Sequence, residues 1–211
     1  MTDTRQRLID GAIQTIRDHG VAGASARTIA AAAGVNQALV FYHFGSVHEL
    51  LEQACLVATE ARVAPFVAEL EEVRGLRQLL DLGRRMHAEE RSLGNVTVLA
   101  QMLAAAQSDR RLAGPTATAL HLWIAPIQRT LDRVLIGSPL AELVDTAGLA
   151  RAVSAGFIGL ELFEGVDPAG ADAAMTELER LAVIVEALDD LGPVTRRLLR
   201  SRLRPLTTQG N

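Results

Sequence analysis

The first fifty residues constrain this chain most, because short apolar stripes with the period of an α-helix are each closed by a glycine. Leu8, Ile9, Ala12, Ile13 and Ile16 recur three and four residues apart, which puts them on one side of a helix. Asp3 with Gln6 predicts a capping box at its start, and Gly20 marks its end. Ser25 is placed to cap a second helix over 26–33, which stops at Gly34. Asn36 caps a third over 37–44, closed by Gly45, and Ser46 with Glu49 forms a capping box opening a fourth. Connections this short leave room only for three tightly packed helices.

Beyond Ser46 the helical segments lengthen. The pattern predicts helices over 46–73, bent where Pro65 removes a backbone donor, then 76–90, 96–107 and 116–135, with Pro126 as a kink. Two more run over 147–164 and 171–191, and a short basic helix over 194–203 closes the chain. Gly137-Ser138-Pro139 and Gly165-Val166-Asp167-Pro168 break the pattern between them. Nothing reads as a strand, since β-branched residues are scattered and no alternating run lasts. The fold class is therefore all-α: an N-terminal three-helix module over 1–48 on a larger helical body over 49–211.

Composition removes several chemistries. All 21 basic residues are Arg, which excludes a phosphate-loop Lys, a Schiff-base Lys and a Ser-x-x-Lys pair. Cys55 is alone, so it closes no intrachain disulfide and builds no Cys-x-x-Cys site. His87 and His121 lack the paired Glu-x-x-His pattern of di-iron bundles and read as polar residues within helices rather than metal ligands. Ala152-Val153-Ser154-Ala155-Gly156 imitates a nucleophile elbow, but it has Ala for the first Gly and lies inside a helical pattern. The expectation is a protein that is not an enzyme, with no catalytic residues, no metal and no cofactor. Residues 1–7 are polar with no apolar segment after them, and no apolar run reaches the roughly 18 residues that span a membrane. A cytoplasmic protein without a membrane partner is expected.

Charge is unevenly spread. Residues 1–50 hold four Arg and four acids, while 51–191 hold 12 Arg and 21 acids. Residues 192–211 hold five Arg and no acid, which reads first as a solvated face complementing its helix dipole. An acidic body and a neutral module give no electrostatic case for nucleic acid. The local pattern has to make it.

The stretch from Ser25 to Phe44 does so, because it has the grammar of a helix-turn-helix. Two helices that cross steeply need a small residue at the crossing (Ala30), a glycine at the left-handed turn (Gly34) and apolar locks (Ile29, Val35, Val40). The third helix then presents Asn36, Gln37, Ala38, Leu39, Tyr42 and His43 outward, toward a major groove. Here the sequence resembles the TetR-type one-component transcriptional regulators. The resemblance is carried by Thr28-Ile29-Ala30, Ala33-Gly34-Val35, Tyr42-His43-Phe44, Ser46 and Glu49-Leu50, and it covers roughly residues 5–52. It implies that Arg27 reaches a guanine edge or a phosphate, and that Asn36, Gln37, Ala38 and Leu39 stand where the recognition helix begins. It also implies that Tyr42 and His43 contact phosphates, with Ser46 and the amide end of the fourth helix as further anchors. Phe41 and Phe44 read as packing, though Phe41 occupies a position where the family often has a contacting Tyr. Val47 stands where the family usually has a phosphate-binding Lys, so a shallow salt dependence of binding is expected.

In the body, Ala152, Ala155, Gly156 and Gly159 line one helix with small residues, facing Leu178, Leu181, Val185 and Leu188 on the next. That pattern suits a four-helix bundle across a two-fold axis, and the resemblance implies a homodimer on a palindromic double-stranded operator. Met102, His121, Trp123 and Phe157 are the candidate lining of a cavity for a small apolar inducer. The expected function is a ligand-responsive regulator, most simply a repressor. Two other readings stay open: a protein-interaction module of this fold that has lost DNA binding, and an all-α enzyme using the cavity. For the first, Arg27→Ala and Tyr42→Phe leave activity untouched; for the second, turnover depends on His87 or His121.

Overall fold

A computed structural model describes residues 3–93, 98–136, 141 and 144–189. Among them are nine α-helices and no strand. The helices are α1 (Thr4–His19), α2 (Ala26–Ala33), α3 (Ala38–Phe44), α4 (Val47–Glu72), α5 (Leu76–Leu93), α6 (Val98–Ala105), α7 (Ala113–Val134), α8 (Thr146–Glu164) and α9 (Pro168–Asp189). Single 3-10 turns occupy Val21–Gly23 and Arg110–Leu112. The expected basic helix over 194–203 and the Gly137-Ser138-Pro139 break lie outside the described residues.

Most boundaries follow from local chemistry. Asp3 caps α1 by accepting the Arg5 N–H, but Gln6 does not reach back to complete a box; its amide donates to Asp10 instead, at 2.9 Å. Ser25 and Thr28 form a full reciprocal box at the start of α2, with Thr28 in the role usually taken by Glu or Gln. Asp145 opens α8 by accepting the Ala147 and Gly148 N–H groups. α9 begins at Pro168, three residues before the expected start, because Asp167 caps it and proline at the first helical position needs no donor. α7 likewise starts early, running directly on from the 3-10 turn at Arg110–Leu112. Pro65 and Pro126 both lie within helices that continue past them.

By internal packing the chain divides into two units. The first comprises Met1–Phe66 with Gly94–Trp123, and the second Val67–Leu93 with Ile124–Asn211, so α4 and α7 contribute residues to both. In the first, α1 lies against α2 and α6 packs on α1 and on the Val21–Gly23 turn. Leu8, Ile9, Ala12 and Ile16 of α1 meet a core with Ile29, Ala30, Val40 and Leu50, all essentially removed from water. In the second, α5, α8 and α9 pack on one another. A buried polar cluster joins α5 to α8: His87 Nδ1 lies 2.9 Å from Glu161 and its Nε2 lies 3.5 Å from Glu164. The Phe157 ring meets the His87 ring edge-on at 6.4 Å.

Candidate nucleic-acid interface

The geometry starts at the end of α2. The Val35 N–H reaches back to the Ala30 carbonyl at 3.0 Å and the Gly34 N–H to Ala31 at 3.1 Å, with Gly34 left-handed at φ +63°. This is a Schellman closure, and it fixes the angle at which the chain leaves α2. Arg7, far away in sequence, donates to the Ala33 and Gly34 carbonyls at 2.7 and 2.9 Å, so a cation of α1 completes the α2 C-terminus. Two residues later the Asn36 side chain accepts the Ala38 N–H at 2.9 Å, starting α3.

Close approach of α1 and α2 depends on Gly11. A Cβ built there stands 2.9 Å from both the Ala33 nitrogen and the Ile29 oxygen, closer than side-chain carbons come to backbone. Ala30, only 2% exposed, supplies the small residue expected at the crossing.

With α2 fixed, α3 buries one side and exposes the other. Val40 and Phe44, four residues apart, face the core. Gln37, Ala38 and Phe41 are exposed on the opposite side, and Tyr42 is the most open of all at 81%. Phe41 was expected to pack inward, yet it is 53% exposed. Val40 and Phe44 set the phase of this short helix, and Phe41 then falls beside Gln37 and Ala38 on the outer face. That exposure departs from a packing role and agrees with the contacting position that the family resemblance also implies for Phe41. Leu39 and His43 are half-buried, and the His43 ring stands edge-on between Tyr42 and Phe44 at 5.0 and 6.5 Å.

The remaining candidates surround this face. Arg27 is exposed on α2 and makes no side-chain hydrogen bond among the described residues. Ser46 precedes α4 and accepts the Glu49 N–H, and Val47 is the first residue of that helix. Arg5 stacks over the Phe44 ring at 5.0 Å and donates to Gln53, so it braces the module from behind. The outer side of α3 is thus a continuous, open surface that carries hydrogen-bonding and aromatic groups. Its shape is that of a rod free to enter a groove.

The four residues expected to line a cavity divide between the units. Met102 is buried on α6, His121 is exposed on α7 and Trp123 is half-buried, all within the first unit. Phe157 is half-buried on α8 in the second. The second unit has a cleft of about 250 Å³ lined by Val67, Leu70, Glu71, Pro126, Arg129, Thr130 and Arg133. There Thr130 and Arg133 donate to the Leu70 carbonyl and Arg133 also to that of Val73, at the C-terminal end of α4. Among the described residues no group of three His, Cys, Asp or Glu side chains is placed to hold a metal ion.

Residues 8–54 match the family described as bacterial regulatory proteins of the tetR family. The HTH-type transcriptional repressor AcnR of Corynebacterium glutamicum is 32% identical over 80 residues, which is 38% of this chain and 42% of that protein. The chain therefore aligns with less than half the length of that curated relative. Among solved structures, a putative TetR-family regulator from Rhodococcus sp. gives a TM-score of 0.72 at 21% identity, covering 88% of this chain and 99% of that one. E. coli NemR in its reduced form gives 0.69 at 15% identity, covering 84% and 96%. A TetR transcriptional regulator from Legionella pneumophila gives 0.66 at 15% identity, covering 86% and 97%. Identities this low establish a shared all-helical fold.

Proposed function

We propose that this chain, a TetR-type transcriptional regulator, is a homodimeric repressor that inserts the outer face of α3 into successive major grooves of a palindromic operator. The observation that carries this reading is the open face of α3, standing on an α2–α3 pair locked by the Schellman closure and by buried Val40 and Phe44. Gln37 is the residue to pair with a base edge, and Ala38 and Phe41 offer apolar contact to a thymine methyl. Tyr42, His43, Ser46, Arg27 and the free amides of α4 hold phosphates and fix the register. Asn36, with its side-chain oxygen committed to the Ala38 amide, serves first as the cap that orients α3 and retains its NH2 for DNA. Leu39, half-buried at the start of α3, is a further residue to approach the base edges.

The homodimer is supported by the surfaces of α8 and α9. α8 is the one described helix apolar and long enough to cross a membrane by length and composition, yet only 11% of that stretch is buried. Val153, Leu162 and Phe163 on α8 and Leu178, Leu181 and Val183 on α9 are exposed, and the space above Gly156 and Gly159 is open. An apolar face of this kind calls for a cover, and a second copy of the same two helices supplies one. Two recognition helices then stand about one DNA turn apart, as a two-fold operator requires.

A small apolar inducer completes the reading. It binds the helical body, with Met102, His121, Trp123 and Phe157 as the residues to examine first. It acts by favouring one arrangement of the dimer over another, lowering operator affinity by its differential binding free energy. Selection of bound sites from random duplex DNA tests the proposal. Enrichment of a palindrome with half-sites one turn apart is expected; an unenriched pool, or a monomer at micromolar concentration by sedimentation, overturns it.

A further inference from the structure

The three-helix module is poor in cations for a protein that binds a polyanion. Of its four arginines, Arg7 is spent on the α2 carbonyls and Arg5 on Phe44 and Gln53, which leaves Arg17 and Arg27 at the surface. Further positive charge has to come from elsewhere in the chain.

It is available sixty residues downstream, within the same compact unit. α6 packs against α1, and the chain leaving α6 meets the first turn of α4, where Asp109 lies 2.9 Å from His48 Nε2. The same carboxylate accepts the backbone N–H of Arg111 at 3.1 Å, its Nε at 3.0 Å and its Nη2 at 2.9 Å. These bonds, the Arg111 guanidinium first, hold the Asp109 carboxyl well below the usual carboxylate range, so Asp109 stays ionised at any physiological pH. Two of the five guanidinium N–H groups of Arg111 are used this way and the rest are free, with the side chain 72% exposed. Arg110 is exposed and makes no side-chain hydrogen bond or ion pair among the described residues. Asp109, Arg110 and Arg111 together carry one net positive charge to the amide end of α4, the helix that follows the Tyr42-His43 corner of α3.

Resting on the DNA-binding reading above, we propose that Arg110 and Arg111 form a second contact with duplex DNA, gripping phosphates beside the bases read by α3. His48 and Asp109 are positioning residues that dock this turn against α4. The contact carries no base information, because a guanidinium on a phosphate reads charge and shape alone. It brings cationic charge to the start of α4 from arginines outside the helix-turn-helix.

The test uses the full chain and its selected operator, with Kd measured across a salt series. For R110Q/R111Q, the expected result is affinity weakened about tenfold or more at physiological salt. The slope of log Kd against log salt should fall by about 2 per protomer, with base preference unchanged. His48→Ala, which keeps both arginines but removes their bracket, should shift the slope in the same direction by less. Arg129→Gln, an exposed charge of the second unit, should leave it alone. Arg111→Gln also breaks the bonds to Asp109, so the double variant should melt slightly below the parent, whereas Arg110→Gln alone, which breaks none, should keep the parent's thermal midpoint and still lower the slope by about 1 per protomer. An unchanged slope and affinity in R110Q/R111Q overturn this inference while the α3 reading stands. A parent chain that selects no DNA site removes both.

Discussion

Replacing Gly11 by alanine is the sharpest stability test of how the module is held, because two opposing effects can be sized. In a helix interior, Gly→Ala gains about 0.5–1 kcal/mol from reduced backbone freedom in the unfolded chain. At Gly11, however, the added methyl stands 2.9 Å from two backbone atoms of α2 and 3.0 Å from the Ala33 Cβ. No flexible side chain can move aside, so α2 itself has to shift. Overpacking of this kind costs about 1–3 kcal/mol, and a backbone-to-backbone collision belongs at the upper end. The expected net loss is about 2 kcal/mol. The matched control is Gly83→Ala in α5, where a Cβ meets nothing within 4 Å, so the propensity gain of about 0.5–1 kcal/mol should appear undiminished. The same chemical change therefore has opposite signs at two helical glycines, separated by about 2.5–3 kcal/mol. Urea unfolding followed by circular dichroism reads the difference, and where the two units unfold separately, each variant moves its own transition. Gly11→Ala should also weaken operator binding, since displacing α2 displaces α3. A Gly11→Ala protein as stable as the parent would refute the close crossing.

Other perturbations follow from the same geometry. Tyr42→Ala and Arg27→Ala should each weaken operator binding with little change in urea midpoint, but only Arg27→Ala, which removes a charge, should reduce the salt slope, by about 1 per protomer. Gly34→Ala should cost about 1–2 kcal/mol, because the residue sits at φ +63° and Arg7 lies 3.1 Å from where the methyl would go. The Asp109 carboxyl is depressed in the folded chain, so its stabilising effect is present above the ordinary carboxylate pKa and is lost as pH falls through the lower folded value. Asp109→Asn should therefore flatten the acid limb of stability against pH and leave the slope above neutrality alone. Burial pushes the Cys55 thiol up to about 11, so a thiol reagent at pH 8 should leave the native protein unmodified and react once it unfolds.

Local signals were legible in the sequence, and long-range ones were not. Ser25, Asn36, Gly20, Gly34 and Gly45 stop or start helices through bonds within a few residues, so their effect can be read from neighbours alone. The apolar pairs Val40/Phe44 and Leu8/Ala12 behave the same way. The exposed outer face of α3 follows from them, and the misplacement of Phe41 shows the limit. Four aromatic side chains in a row leave the inward phase of a seven-residue helix ambiguous until its partners are present. Arg7 on the α2 carbonyls spans 26 and 27 positions, His48 with Asp109 spans 61, and His87 with Glu161 spans 74. No periodicity encodes such distances. The chemistry of Gly11 is likewise invisible in one sequence, where a glycine in a helix signals only a lost propensity. α7 starts early because Asp109 takes up the Arg111 amide and starts a 3-10 turn that runs into the helix, a competition between local bonds that composition does not rank.

The central claim is that the outer face of α3 enters a major groove, twice per symmetric pair. Ala38→Cys tests it directly. With Cys55 buried, a DNA-cleaving iron chelate attaches only at position 38, on the exposed face of that helix. On the selected operator, two clusters of cuts about one helical turn apart, each centred in a major groove, are expected. Cuts no different from those of a chelate carried at Arg129→Cys, or none at all, would contradict the account.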